Sequence, residues 1–156
     1  MNQTAIQDLY ADEHAHCFGC GRNNPHGLQL KSYWEGEECV CRHTPQNYYS
    51  GGVPGFLYGG MIASLLDCHA AATAAAAMAR QKGQLVGRFV TAALKVDFAK
   101  PTPLGVELEL RARASEIKGR KVTVDLQLLA GATLCATANI IMVQLVQKSQ
   151  DLPGGG

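Results

Sequence analysis

One carboxylate, Asp67, lies in the most apolar stretch of the chain, the run from Tyr58 to Gln81 that opens on the glycine pair Gly59–Gly60. Burying a carboxylate costs several kcal/mol unless the group is paired, hydrated or used. An acid in that setting suits two kinds of chemistry: a general base that takes a proton from water, or a nucleophile that attacks a carbonyl. The glycine pair offers the complementary half. The first turn of a helix has N–H groups without intrahelical partners and the positive end of the macrodipole, and both favour a developing oxyanion. The plainer alternatives are a tight helix entry for Gly59 and Gly60, and for Asp67 an ion pair with a histidine or arginine across a subunit interface.

The element that positions these groups reads as a helix that is apolar nearly all round. It contains Met61, Ile62, Leu65 and Leu66, and alanines at 63, 70, 71, 72, 74, 75, 76, 77 and 79. Such a helix is buried rather than amphipathic, and at 1.5 Å per residue it is roughly 35 Å long. Its neighbours one and two turns from Asp67 are Gly60, Ala63, Ser64, Ala70, Ala71 and Ala74. All are small, which leaves that stripe open to a close-packed backbone, a second subunit or a thin ligand. His69 points about 200° round the helix from Asp67 and reads as a packed core histidine.

The chain has 156 residues, 47% of them hydrophobic, and a net charge of +1. These values suit one globular domain and give no basic footprint for nucleic acid. No signal-like apolar run or basic amphipathic leader precedes residue 28, and the one long apolar stretch carries Asp67 and His69, so the expectation is a soluble, cytoplasmic protein with no membrane partner.

Six cysteines raise the question of a metal. Cys17-Phe-Gly-Cys20 and Cys39-Val-Cys41 supply four sulfurs, but the second pair is C-x-C in a strand-like run, where residues 39 and 41 merely share a face. Free thiols are therefore expected rather than zinc or disulfides, and the histidines show no ligand spacing.

Along the chain, residues 2 to 13 suggest a short helix, and Cys17 to Gly27 is rich in turn formers. Leu28–Tyr33 and Glu38–His43 read as a hairpin, followed by a loop from Thr44 to Gly55 and then the helix. After Gly83 the period becomes two: Val90, Ala92, Leu94, Val96 and Phe98 make one apolar strand face, with Thr91 on the other. Residues 106 to 114 alternate cleanly, and turns at Lys118-Gly119 and Ala130-Gly131-Ala132 lead to strands 121–129 and 133–145. Two strands, one helix and four strands give an α+β domain whose antiparallel sheet of five to six strands curls round the helix. The expected organisation is an N-terminal segment over 1–27, one domain over 28–147 and a flexible tail over 148–156.

Three stretches make the chain resemble the hot-dog-fold acyl-CoA thioesterases, especially the group related to phenylacetate-pathway and thioesterase-superfamily proteins. They are Cys17-Phe-Gly-Cys20-Gly21 with Asn24-Pro25-His26-Gly27-Leu28; Gly52-Val-Pro-Gly55-Phe-Leu-Tyr58-Gly59-Gly60 leading through Ala63 and Leu66 to Asp67; and Phe98 to Gly105. The resemblance covers about residues 14 to 145 in the expected element order. It implies a hot-dog fold and hydrolysis of acyl-CoA to free acid and coenzyme A. The implied machinery is a main-chain N–H at Gly59–Gly60 as oxyanion hole, Asp67 as acid, base or nucleophile, and Thr91 as holder of the attacking water.

The same resemblance makes Tyr58 and Ser64 substrate-binding candidates and assigns the coenzyme A phosphates to the basic turn at Arg120 and Lys121. It implies no metal, no cofactor beyond coenzyme A within the substrate, and a homodimer or dimer of dimers with active sites shared between subunits. Tyr58 departs from the pattern, because the family usually has histidine before the glycine pair. Two rival classes follow. A hot-dog hydratase wants an Asp/His pair that Asp67 and His69, on different helix faces, do not make, whereas a non-catalytic acyl-CoA binder is compatible with Tyr58.

Overall fold

The computed structural model describes residues 3–146, so the tail expected over 148–156 lies outside the described residues. Six strands and one long helix follow in the order β1 (Ser32–Glu35), β2 (Glu38–His43), α1 (Gly59–Lys82), β3 (Phe89–Phe98), β4 (Leu108–Lys118), β5 (Lys121–Ala130) and β6 (Thr133–Gln144). All neighbouring strands are antiparallel, and the sheet order is β1-β2-β4-β5-β6-β3. The helix touches every strand of this curved sheet, which is the α+β hot-dog arrangement.

Alanine-rich composition builds α1, and Gly83 ends it in the left-handed region at φ 61°, where a glycine carries no Cβ penalty. Fifteen of its 24 residues are buried, so an apolar length that would suffice to cross a bilayer is used here as core. Each fully buried leucine or methionine, such as Leu65, Leu66 and Met78, contributes about 1.5–3 kcal/mol. The alternation in β4 works as expected. Leu108, Leu110 and Ala112 are buried against the helix side, while Arg111 and Arg113 on the outer face bond Glu38 of β2.

Four details depart from the expectation. Residues expected as an N-terminal helix form two short 3-10 turns, Ile6–Leu9 and Asp12–His14, because a segment this short holds its shape by docking Ile6, Gln7 and Tyr10 rather than by propagating a helix. The first strand begins at Ser32 and not at Leu28. Gln29 has φ 56°, and the N–H groups of Leu28 and Leu30 donate to Phe18 and Gly19 in the cysteine-bearing turn instead of to a strand partner. Strand β4 starts at Leu108 and runs four residues beyond Ala114, past a bulge between Ala114 and Glu116.

The fourth departure bears on the site. β3 is an edge strand, and its register against β6 slips between Thr91 and Ala93. Thr91 faces Met142, whereas Leu94, Val96 and Phe98 face Ile140, Ala138 and Ala136. Directly opposed residues share a sheet face, and those four β6 residues are buried. The extra residue at Ala92 therefore puts Thr91 on the same side as Leu94, Val96 and Phe98, not on the opposite one.

Candidate functional site

The β3 bulge aims Thr91 at the middle of α1, and there its hydroxyl donates to Asp67 Oδ1 at 2.5 Å. Asp67 is half-buried, and burial pushes its carboxyl above the usual carboxylate range, with the Thr91 hydroxyl pulling it part of the way back. Thr91 is its one side-chain partner among the described residues, so the second carboxylate oxygen is open to a further donor.

At the start of α1, Tyr58 is the N-cap, and its carbonyl accepts from the N–H groups of Met61 and Ile62 at 3.1 and 3.3 Å. The N–H groups of Gly59 and Gly60 precede the first intrahelical bond and face an exposed surface. The Tyr58 ring lies on Gly60: a Cβ there would come within 2.7 Å of the ring. Beside Gly59, the residues Phe56, Leu57, Ile62, Phe98, Pro101 and Thr102 line a depression of about 350 Å³, with the Phe98 ring 3.5 Å from where a Cβ on that glycine would lie. The loop that enters the helix is pinned by Leu57 N–H to Thr102 O at 2.8 Å and by a bridge from Phe56 to Pro103.

These two parts share a helix face but do not meet. Seven residues separate Gly60 from Asp67, which is two turns and roughly 10 Å along the axis, about three times hydrogen-bond reach. Ser64 lies between them and gives its hydroxyl proton to Gly60 O at 2.9 Å. Arg120 and Lys121 are exposed at the β4–β5 turn; Gln144 N–H bonds Arg120 O, and Gln144 faces Phe89 at the Asp67 end of β3. The basic turn is thus at Asp67's end of the sheet, with β6 between it and β3.

His69 is fully buried and satisfied by the chain itself. Its Nε2 meets Cys39 O at 2.9 Å, a partner that can only accept, so Nε2 carries the proton and Nδ1 accepts from Ser32 Oγ at 2.8 Å. Gln7 completes the network, donating to Ser32 Oγ and accepting from Ser32 N–H. Burial pushes the histidine down to about 4, so it is neutral at pH 7.

The cysteines group differently from the sequence pairing. The sulfurs of Cys17, Cys20 and Cys68 lie within 4.8 Å of one another, while Cys39 and Cys41 are buried in β2 outside that group. Spacing could not reveal Cys68 as the third member, because only the packing of α1 brings it to the Cys17–Cys20 turn. Arg88, likewise unremarked in the sequence, stacks 4.8 Å over the Tyr10 ring and acts on the charge of Asp67.

The family model of the thioesterase superfamily matches residues 54–137. Acyl-coenzyme A thioesterase THEM4 of Xenopus laevis is 37% identical over 89 residues, 57% of this chain and 36% of the relative. The chain thus spans little more than a third of the length of that relative. A thioesterase superfamily protein from Shewanella loihica is 41% identical, with a TM-score of 0.68 over 86% of this chain and 98% of that one. A Streptococcus mutans protein solved with acetyl CoA is 17% identical over 77% of this chain and 91% of its own, with a TM-score of 0.62, a likeness of fold alone.

Proposed function

Since the chain belongs to the thioesterase superfamily, we propose that it hydrolyses acyl-CoA thioesters, adding water across the C–S bond to release a carboxylic acid and coenzyme A. The observation that carries this reading is the Thr91–Asp67 pair at 2.5 Å on an uncovered helix face that also bears the free N–H groups of Gly59 and Gly60. Asp67 takes the proton of a water as it attacks, or attacks the carbonyl itself, expelling the coenzyme A thiolate and forming an anhydride that water then hydrolyses to the free acid and Asp67; Thr91 orients the carboxylate in either route. Gly59 and Gly60 N–H groups hold the oxyanion. Burial raises the basicity of Asp67 above that of a free carboxylate, which suits proton abstraction near neutral pH.

The roughly 10 Å between Gly60 and Asp67 means that one chain cannot place both on one carbonyl. A second copy supplies the missing half. The face around them carries Tyr58, Leu94 and Phe98, each at least 40% exposed, along an edge strand with unpaired backbone groups. Apolar exposure on a sheet edge of this kind suits an isologous dimer, in which the twofold brings each Gly59–Gly60 to the partner's Asp67. The exposed Arg120 and Lys121 then serve the coenzyme A phosphates, and the depression beside Gly59 takes the start of the acyl group.

Thiol release from a panel of short, long and aromatic acyl-CoA thioesters tests this reading, with Asp67→Asn beside the wild type. Turnover lost in the variant is the expected result; turnover unchanged would overturn the role of Asp67. A second reading, an acyl-CoA binder without turnover, is favoured by one feature, the Tyr58 ring lying over Gly60. It predicts thermal stabilisation by the same thioesters with no thiol released.

A further inference from the structure

We propose that Cys17, Cys20 and Cys68 form a thiolate site for a soft d10 cation, zinc, that clamps the N-terminal turn onto α1 beside Asp67. The three sulfurs lie within 4.8 Å of one another, and Cys17 and Cys68 are 3.7 Å apart. Two thiolates on a tetrahedral zinc, each at about 2.3 Å, are about 3.8 Å apart, so little movement separates the observed thiols from a ligand set. Cys20 and Cys68 are buried and Cys17 is half-buried, which leaves the fourth position on the Cys17 side for water.

The turn is shaped around these sulfurs. A Cβ on Gly19 would fall 2.2 Å from Cys68 Sγ, so the turn admits that sulfur only because residue 19 is glycine. Gly21 is equally constrained: a Cβ there would lie 2.4 Å from Cys17 N, and its N–H closes the turn onto Cys17 O at 2.7 Å. Leu28 N–H to Phe18 O and Leu30 N–H to Gly19 O tie the turn to the chain that follows.

A second observation points to a missing anionic centre. Three buried side-chain atoms lack a hydrogen-bond partner among the described residues, and two of them, Tyr10 Oη and Arg88 Nη1, belong to the pair in which Arg88 stacks over the Tyr10 ring. Zinc with three thiolates carries a net charge of −1. A guanidinium and a phenol are donors that complete such a centre from its outer shell.

The test uses the full chain, reduced, stripped of metal and reloaded anaerobically with Zn²⁺ or with Co²⁺ as a spectroscopic probe. We expect about one zinc retained per chain after desalting, a thiolate-to-cobalt charge-transfer band with tetrahedral d–d intensity, and a higher Tm in the loaded protein. Cys17→Ser and Cys68→Ser lose the band and the retained metal, whereas Cys135→Ser keeps both; the half-buried Cys17 variant decides if the Cys68 variant does not fold. Sub-stoichiometric metal in the wild type, equal retention in Cys17→Ser, or a Cys17 disulfide detected by mass in the reduced, reloaded protein overturns the site.

Discussion

Asp67 and His69 are two residues apart on α1, and the chain treats them in opposite ways. His69 is enclosed, with both ring nitrogens engaged by Ser32 and Cys39 and the whole network closed by Gln7. Asp67 faces the uncovered side with Thr91 as its one side-chain partner. Both groups are shifted toward their neutral forms by burial, Asp67 upward and His69 downward. The perturbed pKa therefore does not separate structure from chemistry here. Hydrogen-bonding capacity does differ: both ring nitrogens of His69 are engaged by its own chain, whereas Asp67 keeps one oxygen open to a further donor, as the proposed reaction requires.

Removing each group breaks the comparison in a different observable. Asp67→Asn lowers kcat by about 10²–10⁴, the usual worth of a general base, in the thiol-release assay. It leaves Tm at pH 7 unchanged or raised. The raised carboxyl pKa means that the folded state holds its proton more tightly than the unfolded chain, so the charged form costs stability above the ordinary carboxylate range, and the amide removes that cost.

His69→Ala does the reverse, lowering folding stability by roughly 2–4 kcal/mol in denaturant titrations through a cavity and the stranded partners Ser32 and Cys39 O. The sign of its pH dependence follows from a pKa lowered to about 4: the stabilisation is full above the ordinary histidine value near 6.5 and is lost as pH falls toward 4. Wild-type stability should therefore drop over that window, and His69→Ala should flatten the drop. The smallest effect belongs to Thr91→Val, which keeps the shape and removes the donor: kcat falls roughly tenfold, with KM and Tm nearly unchanged because Thr91 is exposed.

Periodicity and composition made much of this legible. The alanine-rich run and its glycine entry mark α1, which carries the lone acid Asp67, and of the alternation expected over 106–114 the part over 108–112 gives a buried inward face. The bulge at Ala92 was not legible, because one inserted residue leaves no mark in composition yet reverses the face of every residue before it. That is why the period-two pattern puts Thr91 away from the helix it contacts. The cysteines failed for another reason. Cys17 and Cys20 announce themselves by spacing, but their neighbour Cys68 comes from a helix about 50 residues away, and only tertiary packing selects it over Cys39 and Cys41.

The central claim is that Asp67 and the Gly59–Gly60 entry act together only across two chains, and subunit complementation tests it most directly. Asp67→Asn and Gly60→Val, each inactive alone, are mixed, unfolded and refolded together. In a twofold dimer the heterodimer has one site with both wild-type halves, so the mixture should recover about a quarter of wild-type thiol release. Recovery no greater than the sum of the two parents would contradict the shared site and return both functions to a single chain.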